Sequence, residues 1–292
     1  MSVPKGRRAV LAGMLALMSA APFAGTGPLL AGAAPLPRAP RHLLPYDAGP
    51  LPRVSYTPPS PRDLRGLWPG AAVTVRGEHS LVIGHGVPAS VLRDLAARAD
   101  RARATIAAVW GPVTPVILFP ATDAEAAALA GAGSTHGLAA MATADRVIVL
   151  PSGYARLTGT GKDVVITHEL THVATGATRG GRVPMWLSEG FADYTGYRDA
   201  GIAVRTAAAE LADEVRAGVL PDRLPGPADF APGAPRLAQA YEEAWLACRF
   251  VAERFGEKAL VRLYGSDVGS TLGLPVAEFT AAWRDYLREE LT

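Results

Sequence analysis

A single cysteine, Cys248, excludes an intramolecular disulfide, so this 292-residue chain must be held together by core burial or by a bound metal. Surplus charge is equally scarce. The formal net charge is +2, and Lys5, Arg7 and Arg8 alone supply +3, so the chain beyond them carries +2 − 3 = −1. No nucleic-acid partner is implied by that balance. The first sixty residues also lack the composition of a packed core, and the chain has no internal repeats. Pro35, Pro37, Pro40, Pro45, Pro50, Pro52, Pro58, Pro59 and Pro61 crowd one stretch, where neither helix nor central strand can form. Residues 34–61 are therefore read as an extended tether, and residues 62–292 as the folded domain.

What precedes the tether has the layout of an export signal. Lys5, Arg7 and Arg8 lead into an apolar run from Ala9 to Leu17, and Ala31-Gly32-Ala33 fits an A-x-A cleavage site. Residues 1–33 are thus expected to be a signal peptide. The pair Arg7-Arg8 before Ala9-Val10-Leu11 also resembles a twin-arginine signal. The alternative is a retained anchor, since Ala9 to Leu30 could just span a bilayer, but Pro22, Pro28 and the nearby glycines argue against it. The expectation is a secreted or envelope-associated protein with no stable membrane insertion after cleavage.

Within the domain, Ala72 to Val75 and Ser80 to Ile83 alternate around Gly77 like a hairpin. Ala89 to Trp110 has helical periodicity and is closed by Gly111-Pro112. Pro115 to Phe119 reads as a strand, Asp123 to Ala130 as a short helix capped by Thr122, and Gly137 to Ala142 and Arg146 to Leu150 as two further strands. From Gly159 onward the pattern is helical. This order predicts an α+β domain, with a mixed β-sheet in the N-terminal half, a helical C-terminal half and one helix at the junction.

That junction carries the stretch "VITHELTH". Thr160-Gly161-Lys162-Asp163 matches a capping box and Gly176 can end a helix, which predicts a helix from Lys162 to Thr175. On it, His168 and His172 share one face about 5–6 Å apart at Cβ, close enough to share one metal ion. Glu169 is rotated by about 100° from His168, off the ligand face but within reach of a water on the metal. With six histidines and thirteen glutamates, H-E-x-x-H is expected by chance roughly 0.005 times in such a chain. Val164, Val165, Ile166, Leu170 and Val173 make the helix a buried one, where two unpaired histidines and a glutamate would be costly to desolvate.

A catalytic zinc site needs a third protein ligand and one open position. His172 is the last histidine of the chain, and Thr175 and Thr178 stand where the metzincin pattern would require glycine and histidine. A carboxylate is left. In "PMWLSEGFADY", proline opens a helix on which Trp186, Glu189, Gly190, Asp193 and Tyr197 fall on one face and Leu187, Phe191 and Tyr194 on another. Glu189 is the candidate ligand. Gly190 is expected where this helix approaches the first, and Asp193 is placed to hydrogen-bond a ligating histidine. The alternative for both acids is a solvated stripe beside the tryptophan.

"HELTHVATG" followed by "VPMWLSEGFADY" resembles the gluzincins of the thermolysin and aminopeptidase N type, most closely the small bacterial peptidase MA-like proteins. The resemblance spans roughly residues 110 to 285 in element order and is specific in these two motifs. It implies a zincin-like catalytic domain with one zinc per chain, held by His168, His172 and Glu189, and Glu169 as catalytic base. Peptide or protein is the implied substrate. It also implies a tyrosine donor to the oxyanion from a helix beyond the third ligand, for which Tyr241 is the candidate; the alternative is an aromatic packed on Trp245. Substrate backbone would lie along Gly137 to Ala142, whose side chains from Leu138 to Met141 are small or apolar. The accessory domains and amine-binding motif of the aminopeptidases are missing, so aminopeptidase specificity does not follow.

Two rival functions stand beside this one: a catalytically idle, zinc-containing binding module of the envelope, and a zinc hydrolase of a non-peptide amide or ester. Glu169 weighs against the first, because a structural site has no use for a base. His79, His85 and His136 read as surface or turn residues, and Cys248 as a buried, inert thiol. No oligomeric state follows from the sequence.

Overall fold

Short aliphatic runs and one long amphipathic helix set up the N-terminal half. The computed structural model describes residues 68, 72–132, 137–179 and 183–292. The export signal, the proline-rich tether and His136 lie outside the described residues. β1 (Ala72–Arg76) and β2 (Leu81–His85) form the expected antiparallel hairpin, closed by the Gly77 N–H donating to the Ser80 carbonyl at 3.0 Å. β2 and β3 (Val116–Phe119) run parallel, and both are apolar and buried on both faces, as a covered parallel pair requires. The crossover between them is α1 (Ala89–Val109), which buries Leu92, Leu95, Ala99, Ala102 and Ile106 at helical spacing.

After β3 comes α2 (Asp123–Ala130), capped as expected by the Thr122 side chain, which accepts from the Glu125 N–H at 3.2 Å. β4 (Ala140–Ala142) then turns into β5 (Val147–Val149), and β5 inserts parallel to β3. The sheet order among the described residues is β1-β2-β3-β5-β4, so β4 is an edge. The sequence pattern does not mark α3 (Pro151–Arg156), which follows β5 directly. Gly153 lets α3 lie on the backbone of Leu138, because a Cβ there would stand 1.9 Å from that carbonyl oxygen.

The next helix, α4 (Gly159–Thr175), carries the H-E-x-x-H stretch. Its cap is Thr158 rather than Thr160: the Thr158 hydroxyl accepts from the Gly161 N–H at 3.1 Å, so the helix begins three residues before the expected Lys162. Both threonines suit a cap, and the extended backbone falls at the first. Gly176 closes the helix in the left-handed conformation at φ 72°, as the sequence predicts. Nearly every side chain from Val164 to Thr175 is buried. One side meets the sheet and α1, where Val165, Ile166, Leu170 and Val173 pack with Val82, Ile117, Val147 and Val149.

The 3₁₀ turn Ala177–Arg179 then leads to α5 (Met185–Tyr197). Six further helices follow among the described residues: α6 (Val204–Ala207), α7 (Ala209–Arg216), α8 (Leu237–Phe255), α9 (Glu257–Leu263), α10 (Val268–Leu272) and α11 (Val276–Leu291). Their core gathers Leu187, Phe191, Leu246, Val251, Phe279, Trp283 and Tyr286. The chain is thus a mixed α and β domain, with a five-stranded sheet on the N-terminal side and helices after it. No helix among the described residues is long and apolar enough to cross a membrane.

Three details depart from expectation. Gly190 faces α8 instead of α4, since a Cβ there would stand 2.1 Å from the Ala244 carbonyl oxygen. Gly196 makes the close approach to α4, with the Val164 carbonyl oxygen 3.1 Å from its would-be Cβ. His79 is exposed, but His85 is half-buried: it stacks on Trp68 at 5.5 Å, and its Nδ1 lies 2.8 Å from the Glu125 carboxylate. Trp68 donates to the same carboxylate, which ties its indole to α2 as well as to His85.

Gly190→Ala should therefore lower stability by about 1–3 kcal/mol, because α5 and α8 must part around a backbone carbonyl. Gly196→Ala should cost less, since its neighbours need give only a few tenths of an ångström. Urea unfolding of the two variants checks the order. Equal effects would contradict the packing of α5 against α8.

Candidate metal centre

His172 follows His168 by four positions on α4, which sets their rings on one helix face as the 3.6-residue period demands. Their centroids lie 4.7 Å apart and their planes are nearly perpendicular, at 82°. Both Nε2 atoms point to a common spot, 3.0 Å from each other. α5 crosses α4 near Gly196, and two turns earlier it delivers Glu189, whose Oε2 lies 3.5 Å from His168 Nε2 and 3.4 Å from His172 Nε2. All three side chains are at most 1 % exposed. One turn beyond Glu189, Asp193 Oδ1 lies 2.7 Å from His168 Nδ1.

That last contact fixes the chemistry of the other three. A neutral His168 whose Nδ1–H donates to Asp193 must present its Nε2 lone pair to His172 and Glu189. Neither oxygen of Glu189 has a hydrogen-bond partner, although the carboxylate is fully buried. Three acceptor atoms thus converge where apolar burial makes unshared lone pairs expensive. Donors about 2.0–2.1 Å from a tetrahedral centre stand roughly 3.3 Å apart, and the observed triangle of 3.0, 3.4 and 3.5 Å fits that geometry. Two imidazoles and one carboxylate suit a divalent ion of the zinc type.

Without a metal, a proton has to hold the triangle together. Burial disfavours a charged His168, but Asp193 and then Glu189 outweigh it and raise its pKa well above the usual imidazole value. Burial also pushes the Glu189 carboxyl upward, and the facing imidazoles, His172 first, overcome that and hold it at about 2. A metal ion entering this site would therefore displace a proton.

Glu169 sits beside the triangle, not in it. Burial pushes its carboxyl up to about 7, partly offset by the two histidines and by a hydrogen bond from the Ala142 backbone N–H. Its Oε2 has no partner. The Ala142 bond locates Glu169 at β4, the edge strand of the sheet among the described residues. Within the β4–β5 hairpin, the Thr143 N–H donates to the Arg146 carbonyl and the Leu150 N–H to the Ala139 carbonyl, so odd-numbered residues face β5. By the alternation of an antiparallel ladder, the N–H and C=O groups of Ala140 and Ala142 face outward. A backbone amide has no residue-type signature, which is why sequence reasoning passes over Ala142.

No protein-family model matches the chain, and no curated protein matches it. The site's reading rests on its own geometry. The structure brings His168, His172, Glu189, Asp193 and Glu169 together, and it excludes the solvated acidic stripe for Glu189 and Asp193. Tyr241, on α8, is placed in the helical core with its ring edge-on to Phe230 at 5.1 Å. Trp245, the alternative neighbour, packs on Tyr197 at 4.6 Å instead. Cys248 is fully buried, and burial pushes its thiol well above the ordinary range.

His168→Ala and His172→Ala should each abolish metal binding, and Glu189→Ala should lose most of it. Asp193→Ala should weaken it only about 10–100-fold, as for a residue that orients a ligand. Wild-type affinity should fall as pH is lowered, because the raised pKa of His168 makes a proton the competitor. Elemental analysis and competitive titration across pH measure all of these. Full metal content in either histidine variant, or a greater loss in Asp193→Ala than in Glu189→Ala, would refute the assignment.

Proposed function

We propose that this chain is a zinc-dependent peptidase of the gluzincin type, secreted or envelope-associated, with a zincin-like catalytic domain of the peptidase MA-like kind. The observation that carries the proposal is a buried H-E-x-x-H…E donor triangle with its spare carboxylate bonded to the edge strand β4. His168, His172 and Glu189 would hold one zinc per chain, and Asp193 would keep His168 aimed. When bound, zinc polarises a carbonyl and lowers the pKa of water toward about 7.

The remaining chemistry belongs to the chain. Glu169, raised to about 7, is tuned for general base work near neutrality. Its Oε2 takes the proton from the attacking water and passes it to the leaving nitrogen. The Ala142 N–H holds the carboxylate in place while this happens. The Ala140 N–H and C=O and the Ala142 C=O supply pairing positions for an extended peptide, as strand addition at a free edge does. Ala140 and Ala142 project only methyl groups on the α4 side, so side-chain demands at that edge are small. Tyr241 is the proposed donor, through its hydroxyl, to the oxyanion.

The strand edge is what favours a peptide over a non-peptide amide or ester, which has no backbone to pair. A buried base with an unpartnered oxygen favours an enzyme over an idle binding module. Export through residues 1–33, with cleavage near Ala33, completes the proposal.

Glu169→Gln should keep zinc near the wild-type level while turnover of a quenched peptide library falls at least about 10²-fold. Tyr241→Phe should retain zinc and lower kcat more than it raises KM. Wild-type turnover in Glu169→Gln would overturn the mechanism, and zinc without any peptide turnover in the native protein would favour the binding module. Mass spectrometry of the exported form should find the chain cut before about residue 34, whereas an intact Met1-containing species in membranes would identify an anchor.

A further inference from the structure

His168 and His172 are held in different ways. The Nδ1 of His168 has Asp193, but the Nδ1 of His172 has no hydrogen-bond partner, although the ring is buried. An imidazole without an outer partner is free to rotate about its side-chain bonds unless its backbone and its packing are fixed. What fixes the backbone of His172 lies on the far side of the last turn of α4. Thr175, three residues on, hydrogen-bonds through its hydroxyl to the Thr171 carbonyl at 2.9 Å and makes a longer contact of 3.4 Å with the His172 carbonyl itself. The same hydroxyl accepts from the Tyr264 phenol at 3.1 Å. The Tyr264 ring meets α5 at Phe191, two residues beyond Glu189.

We propose that Tyr264 is a positioning residue of the metal centre, its hydroxyl holding the last turn of α4 at His172 while its ring packs on Phe191 in the turn of α5 that carries Glu189. The donors run in one direction, from Tyr264 to Thr175 and from Thr175 to the Thr171 carbonyl of α4. Tyr264 and Thr175 are both buried, so each link is worth more than it would be in water. The phenol ring is itself locked. Trp110 and Phe191 pack edge-on against it at 5.1 and 5.3 Å, and the Trp110 indole N–H donates to the Ala174 carbonyl at 3.2 Å. Tyr264 comes from the end of α9, far along the chain from both ligand helices, so the C-terminal half sets the relative height of His172 and Glu189.

The inference rests on the metal-centre reading, and Tyr264→Phe tests it with that reading kept separate. The variant keeps the ring and its packing and removes only the bridging oxygen. Tyr286→Phe, which removes a buried hydroxyl bonded to Glu253 at 2.9 Å within the C-terminal helices, is the matched control for a loss of stability alone. Each protein is loaded with cobalt, whose visible absorption reports ligand geometry, and its zinc affinity is titrated well below its unfolding temperature. Tyr264→Phe should still bind one metal ion but alter the cobalt spectrum and weaken zinc by about 10-fold, while Tyr286→Phe leaves both as in wild type. If the two variants give the wild-type spectrum and affinity, Tyr264 is only part of the core and the inference is wrong. If the wild-type protein binds neither cobalt nor zinc, the metal-centre reading fails, and this inference with it.

Discussion

Convergence of three acceptor atoms inside an apolar interior is the constraint on which the rest of this structure depends. Two imidazole nitrogens and a carboxylate oxygen face one another at 3.0–3.5 Å with almost no solvent in reach. Removing such groups from water costs several kcal/mol each unless a positive charge or a donor compensates them. Cations and protons are the species that can do so here, and the two compete for the same lone pairs. A triangle held rigid at this spacing would favour a metal ion over a proton.

Rigidity comes from burying α4 on all sides. The sheet and α1 press on Val165, Ile166, Leu170 and Val173, α5 crosses at Gly196, and the aromatic group of Trp110, Phe191 and Tyr264 closes the last turn. Glycine serves twice on α5, for two different neighbours. Gly196 lets α5 touch α4 and Gly190 lets α8 touch α5, so Glu189 sits on a helix clamped between the other ligand helix and the C-terminal core. Both clamps are backbone-to-backbone, which leaves little room for Glu189 to slide.

Much of this was legible in the sequence, and the reasons for the rest are physical. The strand and helix order followed from period 2 and period 3.6, and the facing histidines from their spacing of four. Glu189 and Asp193 were legible because acids interrupt an apolar helix. The face of Gly190 was not, since α5 is apolar around nearly its whole circumference and its pattern does not tell α4 from α8. Thr158 and Thr160 are equally good caps by composition, and only the path of the chain chose between them. α3 has no periodicity to read. Ala142 acts through its backbone and the Tyr264–Thr175 pair through side chains distant in sequence, so neither leaves a local pattern.

β4 has a consequence for the protein's own solubility. A strand with a free edge is a template for any other extended chain, including a second copy of itself, and most proteins blunt such edges with charge, proline or a covering loop. β4 itself reads Ala-Met-Ala, with neither charge nor proline, and all three residues are buried. Its shortness is the guard instead. Three residues give a stray strand too few hydrogen bonds to stay, and the buried carboxylate at Ala142 already occupies one of the outward amides. An edge that would hold a partner weakly would also release it quickly, so the brevity that limits self-association would limit the stay of any paired chain.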